Sequence, residues 1–251
     1  MPALNTNSID AVKVGSTNID AIYEAGVKIW PAQVPGLLAE YRFAIGNELD
    51  DTSGNGRTAS TSNDPAFVLS YVVSSARANS GVSCFLSPSI QLPEFTAEGW
   101  ISPVAPVESP SEKGTLFYMI GDGEIGSPSV GVPYSGNSLT LRVLEADATS
   151  QETPIANIPV GTAGETSGVF GDYNQWVHLA ITANAGTVKA WVAGQLAATI
   201  TRAFTTPVNA QVLRVCQATT GQGMFRVAGC RFWDSEKYTA NFTPYTGLLN
   251  P

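Results

Sequence analysis

Residues 176–201 constrain the fold most, because they contain three short segments in which apolar and polar residues alternate. The segments cover residues 176–182, 187–192 and 196–201. In the first segment the two-residue period of a β-strand places three aliphatic side chains on one face: Val177, Leu179 and Ile181. Residues 184–186 and Gly194 supply the turns, since glycine adopts the positive φ of a tight hairpin. The stretch predicts three consecutive antiparallel strands.

The composition is typical of a β-rich chain and disfavours nucleic acids and membranes as partners. Charged residues make up 14% of the sequence, against about 25% in typical soluble domains. The 24 glycines and 16 prolines indicate frequent turns. A formal net charge of -8 gives no general attraction for a phosphate backbone or an anionic membrane. We therefore expect neither nucleic acid binding nor membrane insertion.

The first 31 residues lack the basic and apolar regions of a secretory signal, and no run of about 18 apolar residues follows. We therefore expect synthesis in a cytoplasm. Three cysteines, Cys84, Cys216 and Cys230, are too few for a disulfide framework. Cys216 and Cys230 flank a predicted turn and are placed to face each other. All three are predicted to be reduced and buried.

Residues 1–30 form a separate pattern, which predicts strand, turn, strand, turn and strand over residues 9–14, 19–23 and 27–30. A segment this short cannot bury enough apolar surface to be stable alone, so it must dock on something. We predict a small N-terminal β-module for docking or oligomerisation, with an edge hairpin on the main domain as the alternative. Its expected assembly residues are Ile19, Tyr23, Val27, Ile29 and Trp30. The proline-rich residues 31–36 are predicted to be a linker before a domain at 37–251.

Four segments resemble the laminin G-like, concanavalin A-like sandwich family in the family's order. They are LLAEYRFAIGNELDDTSGNG at 37–56, FTAEGWI at 95–101, the central residues 172–201 with W-V-x-G-x-L, and FRVAGCRFWDSEKYTANF at 225–242. The resemblance implies an all-β fold, a concanavalin A-like antiparallel β-sandwich of about 14 strands. It also implies that residues 238–244 pack back over a sheet. Because the family includes adhesins, lectins, enzyme appendages and virion proteins, it does not fix a function.

The N-terminal pattern V-x-V-G-S-T-x-I-x-x-I-Y-x-x-G-x-K-I-W-P is similar to short modules of tailed-phage virion proteins. This resemblance implies a virion location and other virion proteins as partners of residues 1–30. The leading hypothesis is a non-enzymatic tail fibre or baseplate adhesin that contacts a host surface glycan. A capsid decoration protein is the alternative, and a stand-alone lectin or glycan-cleaving enzyme is the second. A homo-oligomer is expected, because viral assemblies repeat one interface.

Two groups of polar and aromatic residues are candidates for glycan binding. The candidates are Asp122, Glu124, Tyr134, Asn137, Asp172, Tyr173 and Asn174. Lectin-like relatives hold sugars in loops, with an aromatic platform and hydrogen bonds from carboxylate and amide groups. Ordinary turn residues, with tyrosine as a partly buried prop, explain the same pattern.

The loop at residues 50–56 is a candidate metal site. Asp50 and Asp51 place two carboxylates beside serine and asparagine oxygens, which are the ligands that Ca²⁺ prefers. The alternative is a turn in which the side-chain oxygens bond the local backbone. Ca²⁺ is the one cofactor that the sequence suggests.

The catalytic patterns that we considered are incomplete, and the chain is predicted not to be an enzyme. Glycosidases of this fold class use carboxylates at alternate strand positions, and Glu145 with Asp147 supplies two of the three. His178 is the single histidine and lies in a predicted strand, where a structural role is expected. Nucleophile elbows, phosphate loops and zinc spacings are missing from the sequence.

Overall fold

The described residues of a computed structural model leave out the N-terminus and a number of connections. They are residues 12–14, 17–19, 22–24, 27–30, 34–43, 48–63, 65–68, 71–73, 81–92, 94–103, 113–120, 129–135, 138–144, 149–155, 176–201, 208–220 and 225–248. Apart from a 3-10 turn at Thr246–Leu248, every regular element in these ranges is a strand. The predicted all-β class is confirmed. No helix among the described residues is long and apolar enough to cross a membrane.

The strands are short in the first third of the chain and longer afterwards. In chain order they are β1 (Val12–Val14), β2 (Thr17–Ile19), β3 (Ile22–Glu24), β4 (Val27–Trp30), β5 (Leu37–Tyr41), β6 (Ala59–Ser62), β7 (Ala66–Val68), β8 (Tyr71–Val73), β9 (Gly81–Leu92), β10 (Glu94–Pro103), β11 (Lys113–Ile120), β12 (Ser129–Ser135), β13 (Ser138–Leu144), β14 (Ser150–Pro154), β15 (Val177–Asn184), β16 (Thr187–Val192), β17 (Gln195–Thr201), β18 (Val208–Thr220) and β19 (Phe225–Trp233).

Strands β5 to β19 form two antiparallel sheets that pack face to face. The eight-stranded sheet has the order β17-β16-β15-β10-β19-β8-β7, with β5 also paired to β19. The seven-stranded sheet has the order β14-β13-β12-β11-β18-β9-β6. The aliphatic and aromatic side chains between the sheets form one buried core. This is the predicted β-sandwich, because each sheet buries one apolar face against the other.

The central stretch folds as its alternation predicts. β15, β16 and β17 pair in succession as two hairpins. Each hairpin has a two-residue turn in which both residues have positive φ: Ala185 and Gly186 in the first, Ala193 and Gly194 in the second. Such turns match the right-handed twist of the flanking strands. The predicted face of Val177, Leu179 and Ile181 lies in the core.

The N-terminal prediction needs a correction in its strand pattern. The structure has two hairpins, β1 with β2 and β3 with β4, in separate two-stranded sheets. The predicted middle strand, 19–23, is divided between β2 and β3, because each neighbour pairs locally across a two-residue loop. The division into 1–30, 31–36 and 37–251 and the roles of the assembly residues stay predictions.

Two other segments differ from the predicted strands. One strand is predicted over residues 67–73, whereas the structure has two antiparallel partners, β7 and β8. The predicted strands at 82–85 and 90–92 are parts of the single strand β9, whose pairing with β18 shifts register between Ala210 and Val212. A register shift lets one long strand bend without ending. The apolar pattern of the sequence is interrupted at this point, which predicts two strands rather than one bent strand.

All three cysteines are free and buried, as predicted. Cys216 on β18 and Cys230 on β19 belong to different sheets, so they do not face each other across neighbouring strands as the spacing suggests. Cys230 contacts Cys84, and burial with this contact raises the pKa of the Cys84 thiol. The core brings β9 and β19 together from opposite sheets, which spacing along the chain did not reveal.

The chain's own C-terminal segment, residues 234–248, packs on the outer face of the eight-stranded sheet over β10 and β15. Thr96 Oγ1 donates to the Ser235 carbonyl, and Trp100 Nε1 donates to the Tyr245 carbonyl. The Phe242 amide donates to the Gly194 carbonyl over 3.0 Å. The implied packing of residues 238–244 over a sheet is confirmed. It explains why both faces of β15 are buried.

Candidate functional site

A buried carboxylate anchors the C-terminal segment to the eight-stranded sheet. Glu98 on β10 is 1% exposed and accepts hydrogen bonds from three side chains. Trp233 Nε1 donates over 3.0 Å, Tyr238 Oη over 2.6 Å and His178 Nε2 over 3.0 Å. Arg231 Nε lies 3.5 Å from the same carboxylate. These partners offset the large cost of burying a charge.

The same partners set the protonation of Glu98. Burial alone raises the pKa of this carboxyl group. The hydrogen bonds and charge of His178, with those of Tyr238 and Arg231, outweigh burial and lower the pKa below its ordinary 4.5. Burial and the nearby Glu98 raise the pKa of the Tyr238 hydroxyl. Glu98 is therefore an ionised acceptor that holds neutral Tyr238 in place at neutral pH.

Aromatic rings complete this anchor. Tyr238 and Phe242 stack with ring centroids 3.5 Å apart, and Phe242 meets the rings of His178 and Trp191 edge-on. The Arg231 guanidinium lies 3.6 Å from the Tyr245 ring centroid. The surface that these groups form is filled by the chain itself. The role of this cluster is to hold the C-terminal segment, and His178 has the predicted structural role within it.

The outer face of the seven-stranded sheet carries a line of polar residues in register. Cα pairing runs from β6 to β14 through one residue on each strand: Ser60, Ser83, Arg214, Tyr118, Gly131, Arg142 and Glu152. We call these seven positions the polar row. At a spacing of about 4.8 Å between strands, the row spans roughly 29 Å.

Simple alternation explains why the row faces outward. Arg214 lies between Leu213 and Val215, which are both in the core. Arg142 lies likewise between Leu141 and Val143. Successive side chains of a strand point to opposite faces, so the two arginines project away from the core. Pairing in register then brings residues that are distant in sequence into one line.

The polar row offers hydrogen bonds and positive charge. Arg142 donates through Nε to Glu152 Oε1 over 2.6 Å, and the two side chains are 44% and 43% exposed. Gly131 has no side chain and is buried within the row. Hydroxyl, guanidinium and carboxylate groups can hydrogen-bond the hydroxyls of an extended ligand. The described part of the row holds two arginines and one carboxylate, in a chain of net charge -8.

Six of the seven predicted glycan-binding residues lie outside the described residues: Asp122, Glu124, Asn137, Asp172, Tyr173 and Asn174. The seventh, Tyr134, is 4% exposed and belongs to the core. This corrects its predicted role as an aromatic platform, because a ring packed between the sheets presents no face to a sugar. The alternative of a buried tyrosine prop describes its position. The other six stay predictions.

The loop at 50–56 uses its carboxylate on its own backbone. Asp51 Oδ1 accepts from the amides of Glu40 and Ser53 over 3.0 and 2.9 Å, and Oδ2 accepts from the Arg57 amide over 2.8 Å. Asp50 is exposed. These contacts match the alternative prediction for this loop, a turn in which side-chain oxygens hydrogen-bond nearby backbone amides. Calcium binding by Asp50 and Asp51 stays a prediction.

The residues of the incomplete catalytic pattern, Glu145 and Asp147, lie outside the described residues. Sequence reasoning also missed Arg142 and Arg214 as site residues. One signal was present, since each is a charged residue between aliphatic neighbours in an alternating strand. Their meeting in one row depends on strand order, which local patterns do not contain.

The fold matches solved structures at low sequence identity. The botulinum neurotoxin serotype D binding domain aligns with a TM-score of 0.61 and 14% identity, over 80% of this chain and 48% of that chain. The serotype G binding domain gives 0.58 and 14% over the same shares. A serotype D ligand binding domain in complex with N-acetylneuraminic acid gives 0.61 and 13%. The chain spans about half the length of these structures. No protein-family model and no curated protein matches the sequence.

Proposed function

We propose that this chain is a non-enzymatic adhesin of a tailed-phage virion, in a tail fibre or baseplate, and that it binds a host surface glycan along the polar row. The observation that carries the proposal is the alignment of Arg214, Gly131, Arg142 and Glu152 on one outer face. On the opposite outer face, residues 234–248 of the chain itself pack against β10 and β15.

The structural neighbours support the glycan part of the proposal. They are binding domains of a toxin, and one of them is in complex with a sugar acid. Their likeness to this chain lies in the fold. The row supplies the matching chemistry, because charged and hydroxyl donors on a rigid sheet can recognise sugar hydroxyls with little loss of conformational entropy.

The N-terminal hairpins support the virion part of the proposal. A two-stranded hairpin is marginally stable in water at best, and residues 12–30 form two of them in separate sheets. The segment therefore requires a partner surface, which an assembled particle provides. The resemblance of this segment to virion modules points to the same setting.

Replacing Arg142 with alanine is expected to weaken glycan binding roughly tenfold to a hundredfold, because a hydrogen bond to a charged group contributes about 1.5 to 3 kcal/mol. The measurement is the Kd for a host polysaccharide that the wild-type chain retains on a glycan array. Arg42→Ala is the matched control. Arg42 is 41% exposed and paired with Glu40, so both variants remove one exposed, ion-paired arginine.

Equal binding by the two variants would place the glycan site away from the polar row. Turnover of the polysaccharide by the wild-type chain would contradict the non-enzymatic assignment. A wild-type chain that retains no glycan would contradict the adhesin and favour a reinforcing role in the particle.

The virion assignment has its own test. Purified chain is mixed with separated tail and head particles of a phage that encodes it, and bound protein is measured after sedimentation. Binding to tails is expected. Binding to heads alone would replace the tail assignment with capsid decoration.

A further inference from the structure

We propose that β17, whose outer edge has no partner strand among the described residues, pairs with β17 of a second copy of this chain. The pairing is antiparallel and centred on Ile200, and it joins two eight-stranded sheets into one. The surface involved is distinct from the polar row, which lies on the other sheet. The inference therefore does not depend on glycan binding.

The sheet edges in the described part of the chain differ in their protection. β7 has three residues and β6 has four, and short strands offer little backbone to a partner. β14 contains Glu152, which is ion-paired, and it ends in Pro154. Charge and proline are the usual means by which an edge strand avoids pairing.

β17 lacks these protections. It is seven residues long, Gln195–Thr201, and contains neither a charged residue nor a proline. The first part of β17 has two features that hinder pairing with another strand. Its register with β16 shifts opposite Ala190 and Trp191, and the Leu196 amide already donates to Asn241 Oδ1 over 3.3 Å. The unprotected part is the regular stretch from Ala198 to Thr201.

Hairpin geometry fixes which backbone groups point outward. Thr187 closes the turn with Asn184, so alternate residues of β16, including Val188, direct their amides and carbonyls toward β17. Val188 pairs with Ile200, which therefore bonds inward. Thr199 and Thr201 then direct their amides and carbonyls to the outer edge, and both residues are exposed.

The free stretch is self-complementary in an antiparallel arrangement. With Ile200 on the twofold axis, Thr199 of each copy lies opposite Thr201 of the other. Threonine pairs across strands are favourable, and no like charges meet. Ile200 is already buried on the core side, so pairing extends the sheet without exposing apolar surface. A symmetric pair of this kind closes on itself and forms a dimer.

The test is a charge exchange in the full chain, measured by light scattering over a concentration series. Thr199→Lys with Thr201→Lys sets lysines opposite each other in both symmetric pairs and is expected to weaken the dimer roughly tenfold. The two lysines reduce the magnitude of the net charge from -8, so greater overall repulsion cannot explain dissociation. Thr199→Lys with Thr201→Glu sets opposite charges together and is expected to restore dimerisation.

Ser60→Lys with Thr61→Lys on the β6 edge is the control, and it is expected to leave the mass unchanged. The N-terminal hairpins are present in every variant, so any mass that they add is common to all. Restoration by the lysine and glutamate pair supports the stated register. A wild-type mass that never doubles, or a mass that is equal in all variants, would overturn the proposal.

Discussion

Replacing Glu98 with alanine is expected to lower the free energy of unfolding by about 3 to 5 kcal/mol, the usual cost of removing one partner from a buried charged network. The change leaves Trp233 Nε1, Tyr238 Oη and His178 Nε2 without their acceptor and leaves Arg231 without its nearest carboxylate. Chemical denaturation with tryptophan fluorescence measures the loss. Glu152→Gln is the control, since Glu152 is exposed and should cost under about 1 kcal/mol.

The lowered pKa of Glu98 also predicts how the free energy of unfolding changes at acid pH. Its pKa is lower in the folded chain than the ordinary value of 4.5. The carboxylate therefore contributes stability that is complete above the unfolded pKa and is lost as the pH falls through the folded pKa. Glu98→Gln removes this titration, so its free energy of unfolding should fall less steeply below about pH 4.5 than that of the wild type. Parallel curves for the two proteins would show that Glu98 is not the group responsible.

Replacing Gly194 with alanine is expected to release the C-terminal segment from the sheet. Gly194 has φ +78°, and an added Cβ would lie 1.9 Å from the carbonyl oxygen of Phe242. The backbone at Phe242 cannot move away without breaking the hydrogen bond from the Phe242 amide to the Gly194 carbonyl. The contacts of the Phe242 ring with His178 and Trp191 would be lost as well. We expect a loss of about 3 kcal/mol, as for removing a large buried ring.

A matched variant separates backbone strain from loss of the segment. Gly56 has φ +65°, and an added Cβ there meets no atom within 4 Å. Gly56→Ala should cost only the left-handed backbone strain, about 1 to 2 kcal/mol. Trypsin cleavage after the exposed Lys237 reads out the segment directly and should accelerate in Gly194→Ala alone. Equal cleavage in both variants would contradict docking at Gly194.

Local patterns predicted most of the strands because alternation and turn residues act over a few positions. β15 to β17 and their turns were predicted closely, since Val177, Leu179 and Ile181 need a core and Gly194 needs a positive φ. β9 was predicted as two strands because the sequence does not show where a bulge lets one strand bend.

The candidate site was predicted poorly for a physical reason. A binding surface on a sheet is assembled across strands, and the order of the strands is set by packing rather than by neighbouring residues. Tyr134 was chosen for its ring and its loop neighbours, yet its position on β12 turns it into the core. Arg142 and Arg214 are 72 residues apart in sequence, and only pairing through β11 and β12 aligns them.

The sequence by itself determined the all-β class, the central meander and the free cysteines, because each follows from short-range periodicity or from the number of residues of one type. The return of the C-terminal segment was implied by the family resemblance of residues 238–244. Tertiary structure decided the burial of Glu98 with His178, the partner of Cys230, the polar row and the unprotected edge of β17. Each of these depends on which strands become neighbours, and that choice minimises exposed apolar surface over the whole chain rather than within any one segment.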